Sequence, residues 1–178
     1  MDNFAEHLVR KELTTGDKAK KIIILVGGIL LTVMLAAFSV LMLGQGLLPF
    51  VGLVLAAATG VGTYWIITNM YVEYEYTFTN GELDIDKIIA KKKRIEMLSV
   101  SVGRFREFGR YDENTPDETD DMTVVFATSN IASEEFYADF DHDAYGSTRL
   151  VFCPDEDMLI NMNKNLPRAL RINTEQEE

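Results

Sequence analysis

The sequence predicts an α+β membrane protein, in which a hairpin of two transmembrane helices precedes an antiparallel β domain that ends in an amphipathic helix. Three observations predict this class. Residues 22–70 contain no charged residue and no histidine. Several segments after residue 71 alternate apolar and polar side chains, which is the period of a β-strand. The segment that begins at residue 155 instead repeats apolar side chains at the spacing of a helix.

Residues 22–43 and 47–70 are each long enough to cross a membrane as a helix. The 22 residues of the first segment extend roughly 33 Å as a helix, and a hydrocarbon core is about 30 Å thick. Only the tripeptide Gly44–Gly46 separates the segments, so the helices must run antiparallel. A buried hairpin in a soluble core and a cleaved signal peptide are the alternatives. Apolar residues on every face argue against the first, and the second long span argues against the other.

Cations flank the predicted hairpin at both ends. Five Lys and Arg residues precede the first span, and Lys87 and the run Lys91–Arg94 follow the second. Because cytoplasmic loops carry an excess of Lys and Arg, we predict a multi-pass protein of the cell membrane with both termini in the cytoplasm. The predicted units are a cytoplasmic N-terminal segment (1–21), a transmembrane hairpin (22–70), a cytoplasmic domain (71–172) and a disordered acidic tail (173–178).

The start of the chain has two interpretations. Phe4, Leu8 and Leu13 would form an apolar stripe on a short helix that lies in the membrane interface. A loosely ordered tail is the alternative.

Small residues recur every fourth position in the second span, at Gly52, Ala56 and Gly60. Such a stripe lets another helix backbone approach closely, so we predict that these residues pack a helix. The first span of the same chain is the expected partner, with a homodimer as the alternative.

A β-hairpin is predicted immediately after the second span. Residues 72–79 alternate apolar and polar side chains, and Asn80-Gly81 is a strong signal for a type I′ turn. A two-residue loop places Phe78 opposite Leu83. Further strands are predicted at 94–102, 122–129, 134–141 and 147–152, with a bulge at Gly103. The six or seven strands and the helix that follows them, N-capped by Asp155, have the plan of a PH-like barrel. An open α+β sheet with one covering helix is the alternative.

Composition excludes some functions. Residues 71–178 contain 24 acidic and 12 basic residues, a net charge of −12, which argues against nucleic-acid binding. Cys153 is the only cysteine, so no internal disulfide forms. No Ser/His/Asp, Cys/His or phosphate-loop pattern is present, so we predict no enzyme, no catalytic residues and no cofactor. Asp139, Asp141 and Asp143 have the first spacings of a calcium loop, but Ala144 and Leu150 replace its glycine and glutamate. No metal site is therefore predicted, and these acids are expected on the solvent-exposed face of a strand.

The two spans and the stretch YEYTFTNGELDIDKIIAKKKR together resemble an uncharacterised family of small membrane proteins of Gram-positive bacteria. The chain is similar in plan to YcxB-like and other bacterial PH-like membrane proteins, in which a hairpin of spans carries a cytosolic barrel. The resemblance implies the architecture and supplies no catalytic residue.

The run Lys91, Lys92, Lys93 and Arg94 is the candidate site for a lipid or protein partner. Cations near an anionic leaflet each contribute about 1 kcal/mol of attraction, whereas a solvated turn that only helps to set topology is the simpler interpretation. We predict a membrane-anchored, non-enzymatic module that binds a protein, a peptide or anionic lipid at the inner membrane face. The alternative is an accessory subunit of a membrane transporter or secretion complex.

Overall fold

The computed structural model describes residues 4–129 and 134–172, which form two compact units. The helical unit comprises residues 13–71, and the β unit comprises residues 4–12, 72–129 and 134–172. The predicted acidic tail, 173–178, lies outside the described residues.

The helical unit is a hairpin of α1 (Thr15–Leu41) and α2 (Leu48–Asn69). α1 begins seven residues before the predicted start at Ile22. Thr14 is its N-cap, and the Thr14 side chain accepts a hydrogen bond from the amide of Asp17. Both helices are long and apolar enough to cross a membrane. None of the residues of α1 is buried, which argues against the alternative of a hairpin in a soluble core.

The β unit contains eight strands and a helix among the described residues, with the bounds that follow. They are β1 (Phe4–Arg10), β2 (Val72–Thr79), β3 (Glu82–Ile89), β4 (Lys93–Ser101), β5 (Glu107–Arg110), β6 (Thr123–Ala127), β7 (Phe136–His142), β8 (Gly146–Phe152) and α3 (Glu156–Asn165). The strands form two sheets, with the orders β1-β2-β3-β4 and β5-β7-β8-β6. Buried side chains of both sheets and of α3 form one hydrophobic cluster.

The predicted hairpin is confirmed. Asn80 and Gly81 have φ values of 50° and 96°, as a type I′ turn requires. Phe78 pairs with Leu83 and Tyr76 pairs with Ile85 in the antiparallel ladder. The period-2 pattern of β2 therefore directs its aromatic side chains into the core.

The interpretation of the N-terminus as an interfacial helix is wrong. Residues Phe4–Arg10 form β1, an edge strand that pairs antiparallel with β2 along its whole length. Ala5 and Val9 face the core, whereas Phe4 and Leu8 are exposed. Since β1 precedes α1 and β2 follows α2, the helical hairpin is inserted between two neighbouring strands of one sheet.

Two further details differ from the prediction of antiparallel strands with a bulge at Gly103. β6 pairs with β8 in the parallel direction, because the hairpin of β7 and β8 returns to lie beside the earlier strand. Gly103 lies in a 3₁₀ turn, Val102–Arg104, rather than in a bulge. The bulge is in β4, where Asp86 pairs with Glu96 and Ile85 pairs with Leu98, leaving Met97 as the extra residue.

The predicted C-terminal helix is confirmed. The Asp155 carboxylate accepts a hydrogen bond of 2.9 Å from the amide of Met158 and so caps α3. Met158, Met162 and Leu166 are buried in the shared core. Pro167 ends the helix and precedes a 3₁₀ turn, Arg168–Leu170.

Candidate functional site

The predicted basic site lies in the turn between β3 and β4. Ala90 and Lys91 have φ values of 55° and 56°, and the amide of Lys92 donates to the carbonyl of Ile89 at 3.1 Å. This is a type I′ geometry, which twists the hairpin in the direction that the strands need. Its positive φ values are costly for residues other than glycine.

The structure does not hold the four basic residues in equivalent surroundings. Lys91, Lys92 and Lys93 are exposed, and within the described part of the chain none of them forms an ion pair. Arg94 instead pairs with Glu75 of β2 and lies 3.5 Å from the Asp86 carboxylate of β3. Arg94 therefore neutralises acids on its own sheet, and the three lysines remain exposed.

The position of this turn in the sheet is defined by the strand register. Val72, the first residue of β2, pairs with Ile89, the last residue of β3. Arg10, the last residue of β1, pairs with Glu73, and their side chains form an ion pair of 2.9 Å. The basic turn thus lies at the same end of the sheet as the two points where the chain passes to and from the helices.

The small-residue stripe of α2 packs against α1. Gly52 and Ala56 are buried, and a Cβ built on Gly52 would lie 3.0 Å from the Cβ of Ser39 and 3.3 Å from the carbonyl oxygen of Leu35. Gly60 is looser, since its nearest neighbour would be the Thr32 hydroxyl at 4.0 Å. The expected partner within the same chain is therefore present for the first two positions of the stripe.

A second close approach between the helices involves Gly28 of α1. A Cβ on Gly28 would overlap the Thr63 hydroxyl oxygen. Gly27 would meet nothing within 4 Å, so the Gly27-Gly28 pair contains one packing glycine and one exposed glycine. Of these two adjacent glycines, it is Gly28 that faces α2.

The acids with partial calcium-loop spacing each pair with a different arginine. Asp139 pairs with Arg149, Asp141 with Arg106, and Asp143 with Arg104. No cluster of three metal-ligating side chains occurs among the described residues. The expectation that all three acids face solvent is wrong for Asp139, which is buried.

Arg149 is the buried charged group that the sequence pattern missed. Its side chain is 2% exposed, and its guanidinium donates to both carboxylate oxygens of Asp139 and to the carbonyl of Pro116. Hydrogen bonding to Asp139 raises the pKa of Arg149 above its ordinary value. The loop at 112–121 therefore lies over β8, and a polar cavity of 440 Å³ remains between the loop and Arg149.

Tyr76 joins the two sheets inside the core. Its hydroxyl donates to the carbonyl of Ala127 and accepts the amide of Cys153 at 3.3 Å. Burial raises the pKa of Tyr76 well above its ordinary value of 10.0. Cys153 is itself buried.

Comparison with known families agrees with this architecture. Residues 1–172 match the family described as "Bacterial PH-like domain (DUF6106)". No curated protein and no solved structure matches the chain. Since the match spans both helices and all the strands, the chain belongs to this bacterial PH-like domain family, whose function is unknown.

Proposed function

We propose that this protein is a membrane-anchored, non-enzymatic interaction module, in which two transmembrane helices hold a PH-like domain at the cytoplasmic face of the cell membrane. We further propose that Lys91, Lys92 and Lys93 bind anionic lipid headgroups there. The observation that carries the proposal is the insertion of the helical hairpin between β1 and β2, at the sheet end that also carries the basic turn.

The pairing of β1 with β2 supports a hairpin that enters and leaves the membrane on one side. The two strands form seven consecutive pairs, from Phe4 with Thr79 to Arg10 with Glu73. A chain that emerged on opposite sides of a bilayer could not form this ladder. The cations that flank the spans favour the cytoplasm as that side.

The turn supports lipid binding through its charge and its place in the fold. Its three exposed lysines follow Ile89, which pairs with the residue where β2 begins. Only Met70 and Tyr71 separate α2 from β2, so the tether to the helices is short. At about 1 kcal/mol per cation near an anionic leaflet, three lysines contribute roughly 3 kcal/mol of attraction.

A fluorescent label tests whether the turn approaches lipid. Cys153 is buried, so a Lys92→Cys variant of the full chain accepts a thiol-reactive fluorophore at one exposed site. In vesicles that contain anionic lipid and a headgroup quencher, we expect strong quenching at this position. Glu82→Cys is the matched control, because Glu82 is exposed at the other end of β3, roughly 23 Å away along the strand.

The dependence of quenching on lipid charge is the second part of this test. Quenching at position 92 should fall when anionic lipid is replaced by zwitterionic lipid, and also when Lys91 and Lys93 are changed to Gln. Headgroup binding by the turn would be refuted by equal quenching at positions 82 and 92. It would also be refuted by equal quenching in anionic and zwitterionic vesicles. Release of the chain into the aqueous fraction by alkaline carbonate would refute the membrane anchor itself.

A further inference from the structure

We propose that the groove between α1 and α2 is a binding site for an anionic phospholipid, with one acyl chain in the groove and the phosphate near Lys21. The groove has a volume of 510 Å³ and lies wholly within the helical unit. This volume is within the range of roughly 300–1,000 Å³ that is usual for ligand pockets. The site rests on the proposed membrane insertion of the helices, and it is separate from the basic turn.

The walls of the groove suit a hydrocarbon chain. Leu25, Ile29 and Val33 of α1 and Tyr64 and Ile67 of α2 line it. The lining also includes three threonine hydroxyls, each of which donates to a carbonyl of its own helix at 2.7–2.8 Å; the pairs are Thr32 with Gly28, Thr63 with Thr59, and Thr68 with Tyr64. Because these donors are already satisfied, an apolar occupant leaves no hydroxyl donor without a partner.

The groove has the depth of one leaflet. Leu25 and Val33 both line it and are eight residues apart in α1, which corresponds to roughly 12 Å along the helix axis. Half of a hydrocarbon core is about 15 Å thick. An acyl chain that enters at the Leu25 end would therefore reach close to the bilayer midplane at Val33.

A cation marks the end where a headgroup would lie. Tyr71 lines the groove, and its hydroxyl accepts a hydrogen bond from the Lys21 ammonium, which also lies 4.8 Å from the centre of the Tyr71 ring. Lys18 and Lys21 precede Leu25 at helical spacings of seven and four residues, so they continue the same face of α1. The charge of this end complements a phosphate group, whereas the rest of the groove complements its acyl chain.

Two glycines of α2 provide a matched test. Gly60 lines the groove, and its Cβ position has no neighbour closer than 4.0 Å, so Gly60→Leu would fill the space. Gly62 would meet nothing within 4 Å and is not part of the lining, so Gly62→Leu adds the same side chain elsewhere. Both variants and the wild type are purified in mild detergent and incubated with equal amounts of phosphatidylglycerol and phosphatidylcholine.

Native mass spectrometry then counts the retained lipids. We expect one phosphatidylglycerol on the wild type and on Gly62→Leu, and at least tenfold lower occupancy on Gly60→Leu. Lys21→Gln, which leaves the groove walls intact, should lose the preference for phosphatidylglycerol over phosphatidylcholine. Lys91→Gln/Lys92→Gln/Lys93→Gln should retain the groove lipid, which separates this site from the proposed turn.

Three outcomes would overturn the proposal. They are equal lipid retention by Gly60→Leu and Gly62→Leu, an unchanged lipid preference in Lys21→Gln, and a wild-type dimer that dissociates only in Gly60→Leu. The last result would assign the groove to a second copy of the chain. A failure of quenching at the basic turn would not alter any of these measurements, so the two proposals fail separately.

Discussion

Asp139 of β7 and Arg149 of β8 are directly opposite each other in the second sheet and form a buried ion pair with two hydrogen bonds. The Arg149 Nε lies 2.7 Å from one carboxylate oxygen and its Nη2 lies 2.6 Å from the other. The remaining amino group donates to the carbonyl of Pro116 at 2.6 Å. The pair thus fixes the register of two strands and holds the loop at 112–121 over them.

Removal of one partner should strongly destabilise the β unit. Arg149→Met leaves the Asp139 carboxylate buried without its counter-charge, which should lower the free energy of unfolding by about 3–5 kcal/mol. Near-UV circular dichroism during thermal unfolding in detergent measures the loss. The double variant Asp139→Leu/Arg149→Met removes both charges and should be more stable than Arg149→Met alone. A double variant that is less stable than the single one would contradict this account.

The Tyr76 hydroxyl should stabilise the contact between the two sheets. Tyr76→Phe leaves the Ala127 carbonyl and the Cys153 amide without their shared partner. Leaving buried polar groups unpaired should cost about 1–3 kcal/mol of unfolding free energy at neutral pH. Tyr64→Phe is a suitable control, because Tyr64 is exposed in the helical unit and should leave the β unit unchanged.

The same tyrosine should make the β unit sensitive to alkali. Burial raises the pKa of Tyr76 in the folded state above the ordinary value of 10.0, so at high pH the unfolded chain loses this proton first. The contribution to stability is therefore complete below pH 10 and declines as the pH rises above it. Denaturant titrations at neutral and at alkaline pH should show a smaller decline for Tyr76→Phe than for the wild type. Equal declines would show that Tyr76 does not cause the alkaline sensitivity.

Local sequence signals predicted the elements that depend on neighbouring residues. Asn80-Gly81 predicted the first hairpin and its register, and Asp155 predicted the start of α3, because turns and caps involve residues close in sequence. The partners of β1 and β6 were missed, since Arg10 pairs with Glu73 and Thr123 pairs with Thr148, and pairing across 25 or more residues leaves no local pattern. The basic run predicted a turn, but not that Arg94 binds the acids of adjacent strands.

Ala90 should be a site of backbone strain. Its φ of 55° is in the left-handed region, which is costly for a side chain with a Cβ. Ala90→Gly should therefore raise the free energy of unfolding by roughly 0.5–1 kcal/mol. Ala144→Gly, in the exposed turn between β7 and β8, should lower it, because Ala144 is not among the residues with positive φ. Thermal unfolding of the two variants should thus give shifts of opposite sign, and a shared sign would refute the strain.

The orientation of the hairpin can be tested by proteolysis. If both termini are cytoplasmic, protease added to right-side-out vesicles should leave the β unit intact, because among the described residues only the reversal at 42–47 would lie outside. The same protease on inverted vesicles should cleave the exposed loop at 112–121. Digestion of the β unit in right-side-out vesicles would contradict the predicted orientation while leaving the strand pairing unaffected.

The packing of α1 against α2 should depend on one glycine of an adjacent pair. Gly28→Val would direct new atoms into the Thr63 side chain, which lies within 3 Å of the added Cβ position. Because the Thr63 side chain is short and β-branched, it has no flexible end that could move aside, so we expect the helices to separate. Gly27→Val adds the same side chain where nothing lies within 4 Å and should leave the hairpin unchanged. The distance between spin labels on α1 and α2 in bilayers measures the result: it should increase for Gly28→Val alone, and an equal distance in both variants would refute the close contact between Gly28 and Thr63.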